Sequence, residues 1–140
     1  MKTNMKTKWK SPLEGIRILD LSTVIAAPFG ATLLADFGAD VIKVEMPGVG
    51  DPLRNLGPYY EGEGLRWPGI ARNKKSLTLD LRQEEGKEIL RKLVKESDMV
   101  IETFRTGTLE KWGVGYEALK EVNPDLVMIR VTGYGQTGPY

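Results

Sequence analysis

One stretch, residues 17–45, constrains the fold more than any other part of this 140-residue chain. A short apolar run at residues 18–21 is followed by a turn, by a helix that begins at Pro28, and by a second apolar run at residues 41–45. Proline suits the first helical turn, and Gly38 can adopt the left-handed conformation that ends a helix. Because a strand, a helix and a strand at this spacing favour parallel pairing, we predict an α/β fold with an open, mainly parallel sheet and flanking helices.

The predicted helix carries large apolar side chains at helical spacing, and they are Phe29, Leu33, Leu34 and Phe37. They form one face, which we expect another part of the protein to cover. The turn before the helix directly follows a strand, and open α/β sheets bind ligands outside the carboxyl ends of their strands. This turn is therefore the first candidate ligand site.

The rest of the chain continues the alternation of strands and helices. Residues 46–72 form a long loop rich in glycine and proline, and its aromatic residues indicate an ordered excursion over the top of the sheet; a disordered insertion is the alternative. Thr108 is expected to cap a short helix that ends at Gly113. The predicted strands are residues 76–81, 99–102 and 126–131, and the predicted helices are residues 84–95, 108–112 and 116–122.

The composition excludes several functional classes. The chain has no cysteine and no histidine, which excludes thiolate metal sites and Ser-His-Asp or Cys-His catalysis within it. Its 20 basic and 19 acidic residues leave a net charge of +1, which argues against general nucleic-acid binding. We expect residues 1–12 to be a flexible basic tail and residues 13–140 to share one core. Since no apolar run approaches the roughly 20 residues of a membrane span, we expect a cytoplasmic protein.

Nucleotide-binding fingerprints are absent: no G-x-G-x-x-G follows the first strand, and no P-loop pattern occurs anywhere. The basic run at residues 72–75 has two interpretations, a solvated strand edge or an anion site that works together with Arg82 at the other end of the strand. The two ends of one strand lie about 17 to 20 Å apart, so a ligand that touches both has to be long.

Other candidate residues also have two interpretations each. Glu45 and Glu102 each end a strand, where carboxylates serve as catalytic acids and bases or as ordinary solvated terminators. Asp20 lies within a strand and is expected to make local polar contacts. Phe104 and Trp112 could stack on a purine or belong to the core.

Six stretches of the chain occur in an order and spacing typical of one enzyme family. They are residues 13–20 (LEGIRILD), 34–45 (LADFGADVIKVE), 73–81 (NKKSLTLDL), 104–107 (FRTG), 109–113 (LEKWG) and 133–139 (GYGQTGP). Together they resemble the N-terminal region of class III coenzyme A transferases, the family of formyl-CoA, carnitine and bile-acid CoA-transferases. The similarity runs from about residue 13 to the end, and the ordered set is more specific than any single stretch.

The resemblance implies a Rossmann-like large domain, of which this chain is the N-terminal portion, and an interlocked homodimer for the full-length protein. It implies that coenzyme A or acyl-CoA binds as a substrate, together with a small carboxylic acid, and that no cofactor is bound permanently. By position, the residues implied in CoA contact are Thr23, Val24, Ile25, Ala26, Leu79, Arg82, Thr103, Phe104, Lys111 and Trp112, with Lys74 and Lys75 as additional candidates.

The resemblance also implies a reaction, the transfer of CoA from an acyl-CoA to a carboxylic acid through an aspartate nucleophile. That aspartate lies beyond this chain in the family, so we expect no catalytic residue here. An α-methylacyl-CoA racemase of the same family and a non-catalytic CoA-binding or regulatory module are the alternatives. The formyl/oxalate branch has histidine and glutamine where this chain has Thr23 and Ile25, which argues against oxalate. It also has arginine at Met46, for which Arg54 is a candidate substitute.

Overall fold

The structure, a computed structural model, describes residues 11–138. The strands are β1 (Arg17–Asp20), β2 (Asp40–Glu45), β3 (Tyr59–Tyr60), β4 (Glu63–Gly64), β5 (Lys74–Thr78), β6 (Met99–Glu102) and β7 (Val127–Arg130). The helices are α1 (Ala26–Asp36), α2 (Arg66–Ala71), α3 (Glu84–Val94), α4 (Thr108–Lys111) and α5 (Tyr116–Val122), and a 3₁₀ turn spans Pro52–Asn55.

Within the described residues, five strands form one sheet in the order β5-β2-β1-β6-β7, and all of its neighbouring pairs are parallel. Strands β3 and β4 form a separate antiparallel hairpin. The carboxyl ends of the five parallel strands therefore meet at one edge of the sheet. This architecture confirms the predicted α/β fold with flanking helices.

Alternate residues of the central strand β1 supply two cores, one on each face of the sheet. Ile18 packs with Ala31 of α1 on one face. Leu19 packs with Leu90 of α3 and Leu119 of α5 on the other. Both β1 residues are at most 1% exposed, so the strand is buried on both faces, as is typical of parallel sheets.

Within the described residues the large apolar side chains of α1 do not face the sheet, so their cover by another part of the protein stays a prediction. The side chains that α1 packs against the sheet are small, and they include Ala27, Ala31 and Ala35. Small residues let the helix axis come close to the strands, and this close approach leaves the larger side chains on the outer face. The large apolar residues expected to be covered are 41–56% exposed, and they are Phe29, Leu33 and Phe37; Leu34 alone of the four packs against the core.

The ends of α1 follow the predicted signals. The helix begins at Ala26, so that Pro28 lies within its first turn, as predicted for a proline at this place. It stops before Gly38, which has a left-handed φ of 99°. A Cβ at position 38 would lie 2.2 Å from the Cβ of Ser11, so glycine is required there by space as well as by conformation.

The long loop at residues 46–72 is ordered, as predicted, but it contains elements that the sequence did not reveal. These are the 3₁₀ turn, the β3–β4 hairpin and α2. Each has six residues or fewer, which is too short for hydrophobic periodicity to show. Asp51 caps the 3₁₀ turn, since its Oδ1 accepts a hydrogen bond from Leu53 N at 2.9 Å.

Two local predictions need correction. Strand β5 covers Lys74–Thr78, not residues 76–81. Leu79 N donates to Glu45 O at 2.9 Å, and the chain leaves the sheet after this bond. Residues 79–82 therefore lie beyond the carboxyl end of β5. Thr108 is not a helix cap, because Gly107, with a φ of 82°, occupies that position and no side chain caps α4.

Two further predictions concern the chain as a whole. No helix within residues 11–138 combines the length and the apolarity needed to cross a bilayer. The predicted flexible tail, residues 1–12, falls almost entirely outside the described residues, so it stays a prediction.

Candidate functional site

A cavity of about 310 Å³ opens at the carboxyl edge of the sheet. The segment after β1 contributes Leu21 and Thr23 to its walls, and the segment after β5 contributes Leu79 and Arg82. Phe104, which follows β6, closes another side. The cavity thus lies where parallel sheets bind ligands.

Several residues that the resemblance implies in CoA contact line this cavity, and they are Thr23, Leu79, Arg82, Phe104 and Trp112. Ile25 lines a separate groove. A larger depression, about 680 Å³, lies along β7 and α5 and includes none of the implied residues. The fold therefore brings implied residues from distant segments to one edge of the sheet, while their contact with CoA stays a prediction.

Arg82 provides the positive charge at the rim of the cavity. Its guanidinium donates two hydrogen bonds of 2.8 Å to the carboxylate of Asp80. These bonds lower the pKa of Asp80 to about 2. The Arg82 side chain is 55% exposed, so a phosphate group, which accepts the same forked pair of hydrogen bonds, can reach it from solvent.

An apolar wall faces this charge. The rings of Phe104 and Trp112 meet edge to face, with centroids 5.3 Å apart and planes at 72°. Both rings pack against the core cluster and also line the cavity, so the two interpretations of these aromatics are compatible. With the buried side chains of Leu79 and Leu81 they form a surface suited to an aromatic base or an aliphatic arm.

The turn at residues 23–26 is exposed beside the cavity, and hydrogen bonds from distant segments shape it. Thr23 N donates to Thr103 Oγ1 at 2.9 Å, and Val24 N donates to Asp51 Oδ1 at 3.1 Å. Val24 has a φ of 70°, a left-handed conformation that costs a β-branched residue about 1–3 kcal/mol. Contacts around the turn must offset that cost.

Four buried charged residues lie beneath this turn, and we call them the buried charge cluster: Asp20, Lys43, Asp51 and Lys74. Lys74 Nζ lies 2.8 Å from Asp20 Oδ2, and Lys43 Nζ lies 3.1 Å from Asp51 Oδ2 and 3.8 Å from Asp20 Oδ1. All four side chains are at most 3% exposed. Two positive and two negative charges balance, as buried ions require.

The buried charge cluster holds the turn at three points. Lys43 Nζ donates to the carbonyl of Ser22, and Lys74 Nζ donates to the carbonyl of Pro28 at 2.6 Å. Asp51 accepts the Val24 amide described above. Asp20 makes the expected local bond with Ser22 N, at 3.1 Å, but its main partners are the lysines of other strands. Burial lowers the pKa of Lys74, an effect that Asp20 opposes.

Glu45 is fully occupied by hydrogen bonds at the end of β2. Its carboxylate accepts two bonds of 2.8 Å from Arg54, one of 2.8 Å from Asp51 N and one of 3.0 Å from Ser76 Oγ. Burial raises its pKa, but these donors outweigh burial and hold the pKa below its usual value. Arg54 also lies over the Trp67 ring, 3.9 Å from its centroid. Glu45 is therefore a buried anchor of the loop, and the Arg54 guanidinium is already committed to it.

Glu102, at the end of β6, has a different environment although it is also buried. Its Oε2 accepts a bond of 2.5 Å from Phe104 N, and Arg130 Nε lies 3.6 Å from its Oε1. Burial raises the pKa of Glu102, and neither the Phe104 amide nor Arg130 compensates for burial in full. This carboxylate fixes the backbone that carries the Phe104 ring.

The three cations of the basic run at residues 72–75 are all paired with acidic residues, but they differ in exposure. Arg72 Nη2 lies 2.6 Å from Asp36, Lys74 belongs to the buried charge cluster, and Lys75 Nζ lies 2.5 Å from Asp40. Lys74 is buried, whereas the Lys75 side chain is 70% exposed; neither lines the cavity, and their contact with CoA stays a prediction. Lys111 is exposed on α4 and does not line the cavity.

Lys43 and Asp51 are structurally central residues that the sequence interpretation missed. Lys43 stands between Ile42 and Val44 in an otherwise apolar strand, and a lysine in such a place needs an acidic partner. That signal was readable. The identity of the partner was not, because Asp51 comes after the strand in a loop whose path the sequence does not predict.

The cavity combines a rim cation with two aromatic rings, features that suit a ligand with both phosphate and apolar parts. Comparison with known families gives the class: residues 13–140 match the model of CoA-transferase family III, so the chain belongs to this family. This match confirms the resemblance drawn from the six stretches.

Known proteins of the family are similar over most of this chain. Succinyl-CoA–D-citramalate CoA-transferase and the beta subunit of succinyl-CoA–L-malate CoA-transferase, both of Chloroflexus aurantiacus, are 58% and 57% identical over 130 residues, which are 92% of this chain and 32% of each relative. The crystal structure of a CAIB/BAIF family protein from Brucella suis superimposes with a TM-score of 0.87 at 44% identity, over 94% of this chain and 36% of that one. The chain thus spans about a third of the length of these relatives.

Proposed function

We propose that this chain forms the CoA-binding part of an enzyme that transfers CoA from an acyl-CoA to a carboxylic acid. The observation that carries the proposal is the cavity where Arg82, Phe104 and Trp112 converge beside the exposed turn at residues 23–26. The two Chloroflexus relatives are named for succinyl-CoA and for the dicarboxylic acids citramalate and malate. We therefore propose small dicarboxylic acids as the substrate class.

In this proposal the ligand runs from the rim of the cavity to the turn. Arg82 exchanges its Asp80 partner for a CoA phosphate, and the Phe104–Trp112 wall contacts the apolar part of the ligand. The turn at residues 23–26, together with Thr103, positions the thioester end. Lys111 is a peripheral contact in the same proposal, since α4 follows the segment that carries Phe104.

We further propose that the catalytic aspartate lies outside residues 11–138. Its carboxylate attacks the thioester carbon and forms an anhydride with release of CoA thiolate. The thiolate then attacks the aspartyl carbonyl, which releases the first acid and leaves an aspartyl thioester. The acceptor carboxylate attacks that thioester, which expels CoA thiolate and forms a second anhydride, and the thiolate attacks the acceptor's carbonyl and releases the aspartate. Asp51, an aspartate that lines the cavity, is buried in an ion pair with Lys43, which makes it a poor nucleophile.

Calorimetry of the 140-residue chain with CoA tests the binding site. We expect saturable heat at or below millimolar CoA, and a weaker affinity in Arg82→Gln. Absence of heat at millimolar CoA contradicts the proposed site. Turnover of succinyl-CoA by the purified chain contradicts the proposed absence of the nucleophile.

The other family activities make different predictions. A racemase exchanges the α-proton of a 2-methylacyl-CoA without an acceptor acid, and a non-catalytic module binds CoA but turns nothing over. The full-length gene product, assayed with succinyl-CoA and malate, distinguishes these activities. The interlocked homodimer and the cytoplasmic location stay predictions, and sedimentation of the full-length product tests the dimer.

A further inference from the structure

A second concave surface, a groove of about 370 Å³, lies beside the turn. Its apolar walls include Ile25, Leu53, Leu65 and Ile70, and two arginines, Arg66 and Arg72, stand among them. We call it the Arg66 groove. The segments that carry Ile25 and Leu53 are joined to each other by the hydrogen bond from Val24 N to Asp51 Oδ1.

The Arg66 groove adjoins the cavity proposed for CoA. Thr23 and Asp51 line the cavity, whereas Ile25 and Leu53, each two residues further along the chain, line the groove. Two residues of chain span at most about 7 Å. A ligand as long as CoA, with its thioester at the turn, can therefore extend its acyl group from the cavity into the groove.

The two arginines of the groove differ in what they already bind. Arg72 Nη2 lies 2.6 Å from Asp36 Oδ2, and Arg72 also donates to the carbonyl of Gly69. Within residues 11–138 no carboxylate forms an ion pair with Arg66, whose side chain is exposed at the start of α2. Arg66 therefore has its forked donors available for a ligand anion.

The groove is built on ordered elements. Thr32 Oγ1 of α1 donates to the carbonyl of Ile70 in α2 at 2.5 Å, and the Arg72–Asp36 pair joins the same two helices. Leu53, which also lines the groove, is fully buried. The guanidinium of Arg66 thus lies beside a fixed apolar surface, which suits an anion carried on a short aliphatic chain.

We propose that the Arg66 groove receives the acyl group of a dicarboxylic acid monothioester and that Arg66 binds its free carboxylate. The proposal rests on the proposed function, because it takes the thioester to lie at the turn. The methylenes of the acyl chain contact Ile25 and Leu65, and the carboxylate accepts a forked pair of hydrogen bonds from Arg66. Arg66 is then the residue that selects dicarboxylic over monocarboxylic substrates.

The test compares three ligands by calorimetry on the 140-residue chain: succinyl-CoA, butyryl-CoA and free CoA. Succinyl and butyryl groups have the same number of carbons and differ in a terminal carboxylate. We expect the chain to bind succinyl-CoA about tenfold more tightly than butyryl-CoA, because one charge-assisted contact contributes about that factor to the affinity. Arg66→Gln should abolish that preference and leave the affinity for free CoA unchanged. Arg66→Lys should retain part of the preference for succinyl-CoA.

Arg72→Gln is the matched control, because it removes a positive charge from the same groove, one that pairs with Asp36 in the free chain. It should keep the succinyl preference. Loss of the succinyl preference in Arg72→Gln alone assigns the carboxylate to Arg72 and overturns the role of Arg66. Circular dichroism melts establish that each variant is folded. Equal binding of the two thioesters by the parent chain, a preference that survives Arg66→Gln, or an equal loss of free CoA binding in that variant overturns the proposal. If none of the three ligands binds, the proposed function fails together with it.

Discussion

Two ion pairs near the turn have the same N···O distance of 2.8 Å but differ in their surroundings. The Lys74–Asp20 pair is buried, with side chains 2% and 0% exposed, whereas the Arg82–Asp80 pair is open, with side chains 55% and 22% exposed. A buried pair cannot give up one partner without leaving a charge in a low-dielectric interior. An open pair contributes little to stability and can exchange its carboxylate for a ligand anion. Burial, not distance, separates the charges that hold this site from those that can bind.

The largest expected effect comes from breaking the buried pair. Lys74→Met leaves Asp20 buried beside Lys43 alone and removes the bond to the Pro28 carbonyl. We expect the free energy of unfolding to fall by about 3–5 kcal/mol, measured by urea unfolding at pH 7.

Lys75→Met is the matched control, because Lys75 follows directly in the sequence but its side chain is 70% exposed in its pair with Asp40. It should leave the unfolding curve nearly unchanged. Equal destabilisation by the two variants contradicts the distinction between buried and open charges.

The two carboxylates at strand ends extend the comparison to acids that are both buried. Donors hold the pKa of Glu45 below its usual 4.5, so its stabilisation is present above that pH and is lost as pH falls through the folded pKa. Burial raises the pKa of Glu102 above 4.5, so its contribution is greatest at low pH and is lost as pH rises through the folded pKa.

Glutamine variants should therefore change the pH dependence of stability in opposite directions. Glu45→Gln should cost about 1–3 kcal/mol at pH 7 and less as the pH approaches 4, because buried donors lose a charged acceptor. The change caused by Glu102→Gln should become more favourable as the pH rises over the same range. Urea unfolding between pH 4 and 7 measures both, and parallel profiles contradict the assigned environments.

The order and the parallel pairing of the main elements were predictable, because each depends on local signals. Gly38 shows this well: the need for a left-handed residue at the end of α1 is visible from a glycine after an apolar helix. The buried face of α1 was not predictable from the same pattern. Periodicity identifies large apolar residues, whereas the close approach of helix to sheet selects the alanines.

The site was predictable only in part, and the reason is again physical. The resemblance located Arg82 and Phe104, which line the cavity. It did not single out Arg66, for which we propose a role, or the partnership of Asp20 with Lys74, which lie 54 positions apart in the sequence. A buried charge signals that it needs a partner, but the partner is chosen by the tertiary fold.

The open pair should affect binding and not stability. Arg82→Gln should weaken CoA binding roughly tenfold, because one charge-assisted contact is lost. Asp80→Asn should strengthen CoA binding, since it removes the carboxylate that competes with the ligand for Arg82. Calorimetry measures both, and thermal melts should be close to those of the parent chain. A loss of CoA affinity in Asp80→Asn contradicts the exchange of partners.

The smallest effect is expected at Thr103. Its side chain is uncharged and partly buried, so its exposure is intermediate between the buried Lys74–Asp20 pair and the open Arg82–Asp80 pair. Its hydroxyl accepts the hydrogen bond from Thr23 N, so Thr103→Val leaves that amide without its protein acceptor. Water can reach the exposed turn and replace the hydroxyl, which limits the cost to stability. The turn loses one of the contacts that position it, so we expect CoA binding to weaken by about threefold to tenfold. Thr103→Ser keeps the hydroxyl and should bind CoA like the parent chain; if it is as weak as Thr103→Val, the methyl group and not the hydrogen bond matters.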